Sequence, residues 1–180
     1  GSPTMTTATM STLAKVVAIA TLYKLLTAMN ADLSDVSINI IIIISIASMT
    51  VGNIMALKQT NVKRMLAFSG VSHAGFMLMT LLNISNSAGN LLYYTTAYSL
   101  SGIAAFTVIL YTCKKNKRIE AFNGLGKRNP LMAAILTASL LSMAGIPIFA
   151  GFFAKMFLFT QTIAAGYLVV VIAAVINSII

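Results

Sequence analysis

The chain has 180 residues, 58% of them hydrophobic and 8% charged, with a mean hydropathy of +0.92, which excludes an ordinary soluble domain with its roughly 25% of charged residues. Its formal charge of +9 comes from twelve Lys and Arg against the acids Asp32, Asp35 and Glu120, yet nine of the twelve crowd into two short loops between apolar runs, so the charge orients a membrane protein and excludes a nucleic-acid partner. The single cysteine, Cys113, excludes a disulfide framework and a cysteine metal site.

About 20 apolar residues cross a bilayer, and on that template the sequence predicts six spans, at 6–28, 38–57, 63–83, 91–112, 131–160 and 162–180. The fold class expected is an all-α polytopic bundle. The loops alternate in charge. The 29–37 loop carries Asp32 and Asp35, the 84–90 loop carries no charge, and the loops at 58–64 and 113–129 hold Lys58, Lys63, Arg64, Lys114, Lys115, Lys117, Arg118, Lys127 and Arg128. The basic loops, and with them the amino end, belong on the cytoplasmic side or its equivalent. Connections this short make neighbouring spans antiparallel. The longest loop, with Gly124 and Gly126, has room for a short surface helix; it serves topology or binds anionic lipid. Gly1 precedes the first methionine, Met5, and residues 178–180 fall inside an apolar run, which reads as a piece of a longer polytopic protein.

Ionisable residues inside a membrane usually face the bundle interior and mark ion pathways. Three fall well within the predicted spans: Lys15, His73 and Lys155. Lys15 has Ser11 and Thr12 at i−4 and i−3, which places hydroxyls on its own helical face. Lys24, near a span end, reads as a snorkelling side chain. His73 follows Ser69 by one turn and is either a proton relay, since imidazole titrates near neutrality, or a neutral core residue bonded to a serine. In the fourth span Tyr94, Tyr98 and Ser101 stack at i, i+4 and i+7, with Thr95 and Ser99 beside them. Such hydroxyls either hold a file of water or bond neighbouring helices at around 0.6 kcal/mol each.

The run from Pro130 to Thr160, PLMAAILTASLLSMAGIPIFAGFFAKMFLFT, breaks at Gly145, Ile146 and Pro147 and carries Lys155 beyond the break. Proline removes a backbone donor and clashes with the preceding turn, and unwound backbone is tolerated in a membrane only where it lines a cavity or is buried in protein. Secondary transporters build ion sites from such broken helices. Lys155 either sits near the bilayer midplane because of the break or snorkels to the far interface. A lysine in an apolar setting loses its preference for the charged form and can exchange its proton. Two charges ~10 Å apart at an effective dielectric near 20 repel by about 1.7 kcal/mol, enough to pass a protonation change along a row of sites.

The runs KRMLAFSGVSHAGFML, NGLGKRNPLMAA and SMAGIPIFAGFFAK resemble the antiporter-like membrane subunits of respiratory complex I, in a superfamily that also holds Mrp-type sodium/proton antiporter and membrane-bound hydrogenase subunits. The resemblance covers nearly the whole chain and is nearest to the N type, because the L and M types carry a histidine in the span where this chain has YYTTAYSLSGIAAF. It implies two inverted five-helix repeats, residues 1–37 being the last helix of the first repeat with its loop and 38–180 the second repeat, with a broken helix at 131–160. It also implies proton translocation within an NADH:quinone oxidoreductase, with Lys15, His73 and Lys155 as the relay; helical spacing and the break add Ser11, Ser69, Tyr94, Tyr98 and Pro147 in support. An antiporter subunit and a structural scaffold remain the alternatives. By the same resemblance NADH, FMN, iron–sulfur clusters and quinone belong to other subunits, the partners are those subunits and the bilayer, and the location is the bacterial inner (plasma) membrane or an organellar inner membrane. The chain's own residues agree with the absence of redox centres, since they show no Gly-rich nucleotide fingerprint and no cysteine cluster.

Overall fold

A computed structural model describes residues 3–29, 34–112 and 118–180; Asp32, Cys113, Lys114, Lys115 and Lys117 lie outside the described residues. The molecule is a transmembrane helix bundle. Four segments are long and apolar enough to cross a membrane: Thr4–Ala28, Asp35–Leu57, Val62–Ile84 and Ala88–Thr112.

The first crossing is two helices, α1 (Thr4–Ser11) and α2 (Leu13–Ala28), interrupted at Thr12 with φ −108° and ψ −77°. The Thr12 hydroxyl donates to the Ala8 carbonyl at 2.6 Å, and such local bonds compete with a regular helix and bend it. Helix α3 (Asp35–Leu57) begins before the predicted position 38, because its start is polar: Ser34 caps it by accepting from the Ser37 N–H, and Asp35 occupies the first turn, where an anion suits the helix dipole. Helix α4 (Val62–Leu78) is capped by Asn61. It takes Lys63 and Arg64 out of the expected loop into its first turn, with Lys63 buried. It continues as a 3₁₀ segment, Met79–Asn86, bent at Asn83, and is followed by α5 (Ala88–Thr112).

The two basic loops lie side by side, as their predicted common side of the membrane requires. Asn61 and Arg118 form an antiparallel bridge, and the Ile119 N–H donates to the Thr60 carbonyl at 3.1 Å. A 3₁₀ turn (Ile119–Phe122) and the short α6 (Leu125–Arg128) follow. Ala121 and Phe122 pack against the buried cluster that holds Val62, Leu66 and Phe106, while Lys58, Arg64, Lys127 and Arg128 are exposed.

The predicted span 131–160 is a broken pair, α7 (Pro130–Ala144) and α8 (Ala150–Ala164). With fifteen residues each, the halves measure about 22 Å, short of the ~30 Å hydrocarbon core. Gly145, at φ +84°, ends α7 in the left-handed region, and the N–H groups of Gly145 and Ile146 both return to the Leu141 carbonyl at 3.1 Å. That is the usual glycine C-cap. The break then runs through Pro147 and Ile148 to Phe149, two residues further than predicted. The predicted boundary at 160–162 moves as well. Helix α8 carries on to Ala164 and closes on Gly166, with the Tyr167 N–H on the Thr162 carbonyl at 3.2 Å, so that α9 spans Leu168–Ile179.

Helix α4 is the axis of the bundle. In the apolar 18-residue stretch of Val62–Ile84, 61% is buried, against 17% in the corresponding stretches of Thr4–Ala28 and Asp35–Leu57, which turn most of their surface outward. Helix α3 reaches α4 through two close approaches: a Cβ at Gly52 would stand 2.6 Å from the Ser72 nitrogen, and one at Gly75 would stand 2.7 Å from the Ser45 carbonyl oxygen. The Ser45 hydroxyl donates to the Gly75 carbonyl at 2.6 Å. Small residues and interhelical hydrogen bonds are how helices associate in lipid, where no hydrophobic force separates them from the solvent. Gly75→Ala therefore overpacks a backbone contact and is expected to cost about 1–3 kcal/mol, lowering the thermal unfolding midpoint of the protein purified in detergent. Gly89→Ala, on α5 with nothing within 4 Å of the new methyl, is expected to leave the midpoint unchanged or raise it.

Candidate functional site

The three basic residues predicted to lie inside the membrane come from three elements that meet on α4 and α5. His73 and Lys155 are 8% and 7% exposed, and Lys15 is half-buried. Lys24 is exposed on α2.

Lys155 points back across the break that precedes it. Its ammonium donates to the Ala144 carbonyl at 2.9 Å and to Ser178 Oγ on α9 at 2.8 Å, and it lies 5.1 Å from the centroid of the Phe76 ring on α4. Each partner answers one requirement of a buried cation. The last carbonyls of α7 have no helical partner and carry the negative end of its dipole, the serine supplies a further acceptor, and the ring face attracts the charge. Snorkelling to the far interface is thus not the arrangement found.

His73 Nδ1 lies 2.8 Å from the Tyr94 hydroxyl, and the imidazole stacks obliquely on Tyr98 with centroids 4.7 Å apart. Its partner is a tyrosine; Ser69 bonds the Leu66 carbonyl of its own helix. The stripe of hydroxyls on α5 therefore does turn toward His73. Tyr98 donates to the Ser11 carbonyl at 2.8 Å, and Ser101 Oγ lies 3.0 Å from Ser142 Oγ on α7.

Lys15 approaches the same face from the other side. A Cβ on Gly70 would stand 2.6 Å from Lys15 Nζ and 2.8 Å from the Tyr98 hydroxyl, so the missing side chain makes the seat in which these two groups converge. The hydroxyls that helical spacing places on the face of Lys15 are engaged elsewhere. Ser11 and Thr12 both turn their hydroxyls onto the Ala8 carbonyl, because the break at Thr12 interrupts the helical face; Ser11 contributes its carbonyl oxygen to the site instead.

Two cavities adjoin His73 and Lys155, and Lys15 lines neither. One, of about 10 Å³, is lined by His73, Tyr94, Tyr98, Ser101, Ser142 and Lys155; this is the space of roughly one water, among polar groups able to bind it. The other, of about 430 Å³, is an open cleft that extends from Gln59 and Ile119 beside the basic loops to His73 and Lys155, and its wall includes the last three residues of the chain, Ser178, Ile179 and Ile180. Sequence reading missed Ser142, Phe76 and Ser178, and also Asn53 and Asn177, amides that line the larger cavity from α3 and α9. The signal for the amides was a polar side chain inside a highly apolar span. Among the described residues no three His, Cys, Asp or Glu side chains converge as a metal site would require.

The fold and the buried groups define a polytopic helical membrane protein in which His73 and Lys155 line two cavities beside a broken helix. Over residues 1–180 the chain matches, and belongs to, the family described as NADH:quinone oxidoreductase/Mrp antiporter, TM. It is 70% identical over its full length to the NADH-quinone oxidoreductase subunit N of Flavobacterium johnsoniae and 43% identical to that of Cytophaga hutchinsonii, and spans 41% and 40% of those relatives' lengths. A solved structure of respiratory complex I from Thermus thermophilus with bound aureothin is similar over 78% of this chain and 32% of the matching chain, with a TM-score of 0.73 and 32% identity.

Removing the Tyr94 hydroxyl leaves the buried His73 nitrogen without its partner, which ordinarily costs about 1–3 kcal/mol. Tyr94→Phe is expected to lower the unfolding midpoint and to change the tautomer balance of His73, read from the imidazole ¹⁵N shifts in the purified protein.

Proposed function

We propose that the chain is part of a proton-translocating membrane subunit of an NADH:quinone oxidoreductase. Protons pass among Lys15, His73 and Lys155 by way of Tyr94, Tyr98 and ordered water, and redox energy released in other subunits sets the direction. The observation that carries this reading is that His73 and Lys155 line both cavities, one wide and one the size of a single water. A buried lysine can give up its proton, imidazole can accept and return one, and a one-water bridge lets the two exchange without either side chain reaching bulk solvent. Gly145, Pro147 and the rest of the break support the site by freeing the carbonyl that receives Lys155.

The redox cofactors NADH, FMN and iron–sulfur clusters, and the quinone, are bound by other subunits in this reading, and the partners are those subunits and the lipid bilayer. The location is the bacterial inner membrane, as the bacterial relatives suggest. Residues 1–37 close one helical repeat and 38–180 form most of the next.

The decisive variants are tested in the complete complex reconstituted in vesicles. Lys155→Ala and His73→Ala are expected to lower proton uptake per NADH oxidised while the complex still assembles. Lys155→Arg separates transport from scaffolding, because a guanidinium keeps the charge but does not release its proton. Pumping by the arginine variant at the native ratio would leave only a structural role for the charge. Pumping without sodium distinguishes this reading from a sodium/proton antiporter.

A further inference from the structure

Lys155 holds Ser178 Oγ at 2.8 Å, and what fixes Ser178 is not part of the relay. The residue before it, Asn177, is bonded to α3: the Asn53 side-chain amide donates to the Asn177 main-chain carbonyl at 2.5 Å and approaches its Oδ1 at 3.3 Å. Asn177 returns a bond from its own amide to Thr50 Oγ1 at 3.2 Å. Helix α3 is in turn fastened to α4 at Gly52 and Gly75. A continuous set of contacts therefore runs from α4, which carries His73, through α3 to the α9 turn that carries Ser178.

An unpaired amide is costly in hydrocarbon, yet Asn53 lies within VGNIMAL of a span whose mean hydropathy is 2.3. We propose that Asn53 is a positioning residue for the relay: it sets α9 at the height and rotation that put Ser178 Oγ on the Lys155 ammonium. The inference rests on the proton-relay reading above and adds to it a residue that touches none of the exchanging groups. Asn53's shorter bond goes to a main-chain oxygen, so it holds the helix regardless of the side chain at 177.

The titratable groups facing Lys155 are His73 on α4 and Tyr94 and Tyr98 on α5. Lys15 lies beyond Tyr98, at the Gly70 seat. Helices α7 and α9 contain no titratable side chain, and the single one on α3, Asp35, is at its far end. Asn53 also lines the larger cavity with His73 and Lys155, so the double variant with Ser178→Ala is what separates an effect through the Asn177–Ser178 turn from one through that cavity.

The test measures the pH profile of proton uptake by the complete complex in vesicles. Asn53→Ala is expected to move the midpoint by about one pH unit, the tenfold change equivalent to one hydrogen bond to a charged group. Ser178→Ala should move it in the same sense by a similar amount, and the double variant should add nothing further. Asn177→Ala, which keeps the main-chain acceptor, should produce a smaller shift than Asn53→Ala. If Asn53→Ala prevents assembly, Asn53→Gln keeps an amide on α3 but places it one methylene too far, and the same shift is expected. A native profile in the assembled Asn53 variant, or fully additive effects with Ser178→Ala, overturns the inference. Lys155→Ala that pumps normally overturns the underlying relay reading instead, so the two failures are distinct.

Discussion

An ammonium group inside a membrane has to be met by acceptors that the protein supplies, and for Lys155 the broken helix supplies them. Inserting a lysine at the centre of a helix costs roughly 2.5–3.5 kcal/mol even on lenient scales. Ending α7 at Gly145 leaves the Ala144 carbonyl free to accept from Lys155, beside the negative end of a helix dipole and within reach of Ser178. The break and the charge each lower the cost of the other: free carbonyls would be unsatisfied without a donor, and the cation would be unsolvated without free carbonyls. The chain turns back between the halves through Pro147 and through Ile148 at φ +92°, a conformation uncommon for a β-branched residue, here in a side chain that is 91% exposed.

The rest of the arrangement follows from placing that charge beside α4. Phe76 and His73 are three residues apart on one face of α4, so the ring under the ammonium and the imidazole belong to one surface. Helix α5 lays its tyrosines along that surface, and Tyr98 reaches across to the carbonyl at the Thr12 break. Two interrupted helices thus approach the same pair of continuous ones. In each case a helix interruption brings a main-chain oxygen into the membrane interior, and in each a long polar side chain receives it.

Much of this was legible in the sequence, for reasons that can be stated residue by residue. Hydropathy reports transfer into lipid, so the spans and the oddity of Lys15, His73 and Lys155 stood out. Pro147 beside Gly145 marked the break because proline and glycine punish or permit local backbone directly. What hydropathy does not carry is pairing across the bundle. Asn53 and Asn177 lie far apart in the sequence, and nothing in either neighbourhood announces the other. The hydroxyls of Ser11 and Thr12 misled because helical spacing presumes an unbroken helix, and their own bonds to Ala8 break it. Gly166 gave a signal comparable to Gly145, yet in an apolar run without proline the cap was absorbed into the next span.

The two cavities differ in a way that bears on how a relay could be gated. Toward the basic loops the space beside His73 and Lys155 is wide, whereas between them only about one water fits. On the opposite side the structure closes with amides and aromatic rings: Asn90 bonds Gln161 at 2.6 Å, the Gln161 amide approaches the Asn83 carbonyl at 3.4 Å, and Phe76 packs on Phe159. The narrow junction is bounded by His73 of α4 and by Tyr94 and Tyr98 of α5. Small displacements of α4 against α5 would open or break that junction without moving any charge through lipid, because closely packed helices are bistable rather than continuously deformable.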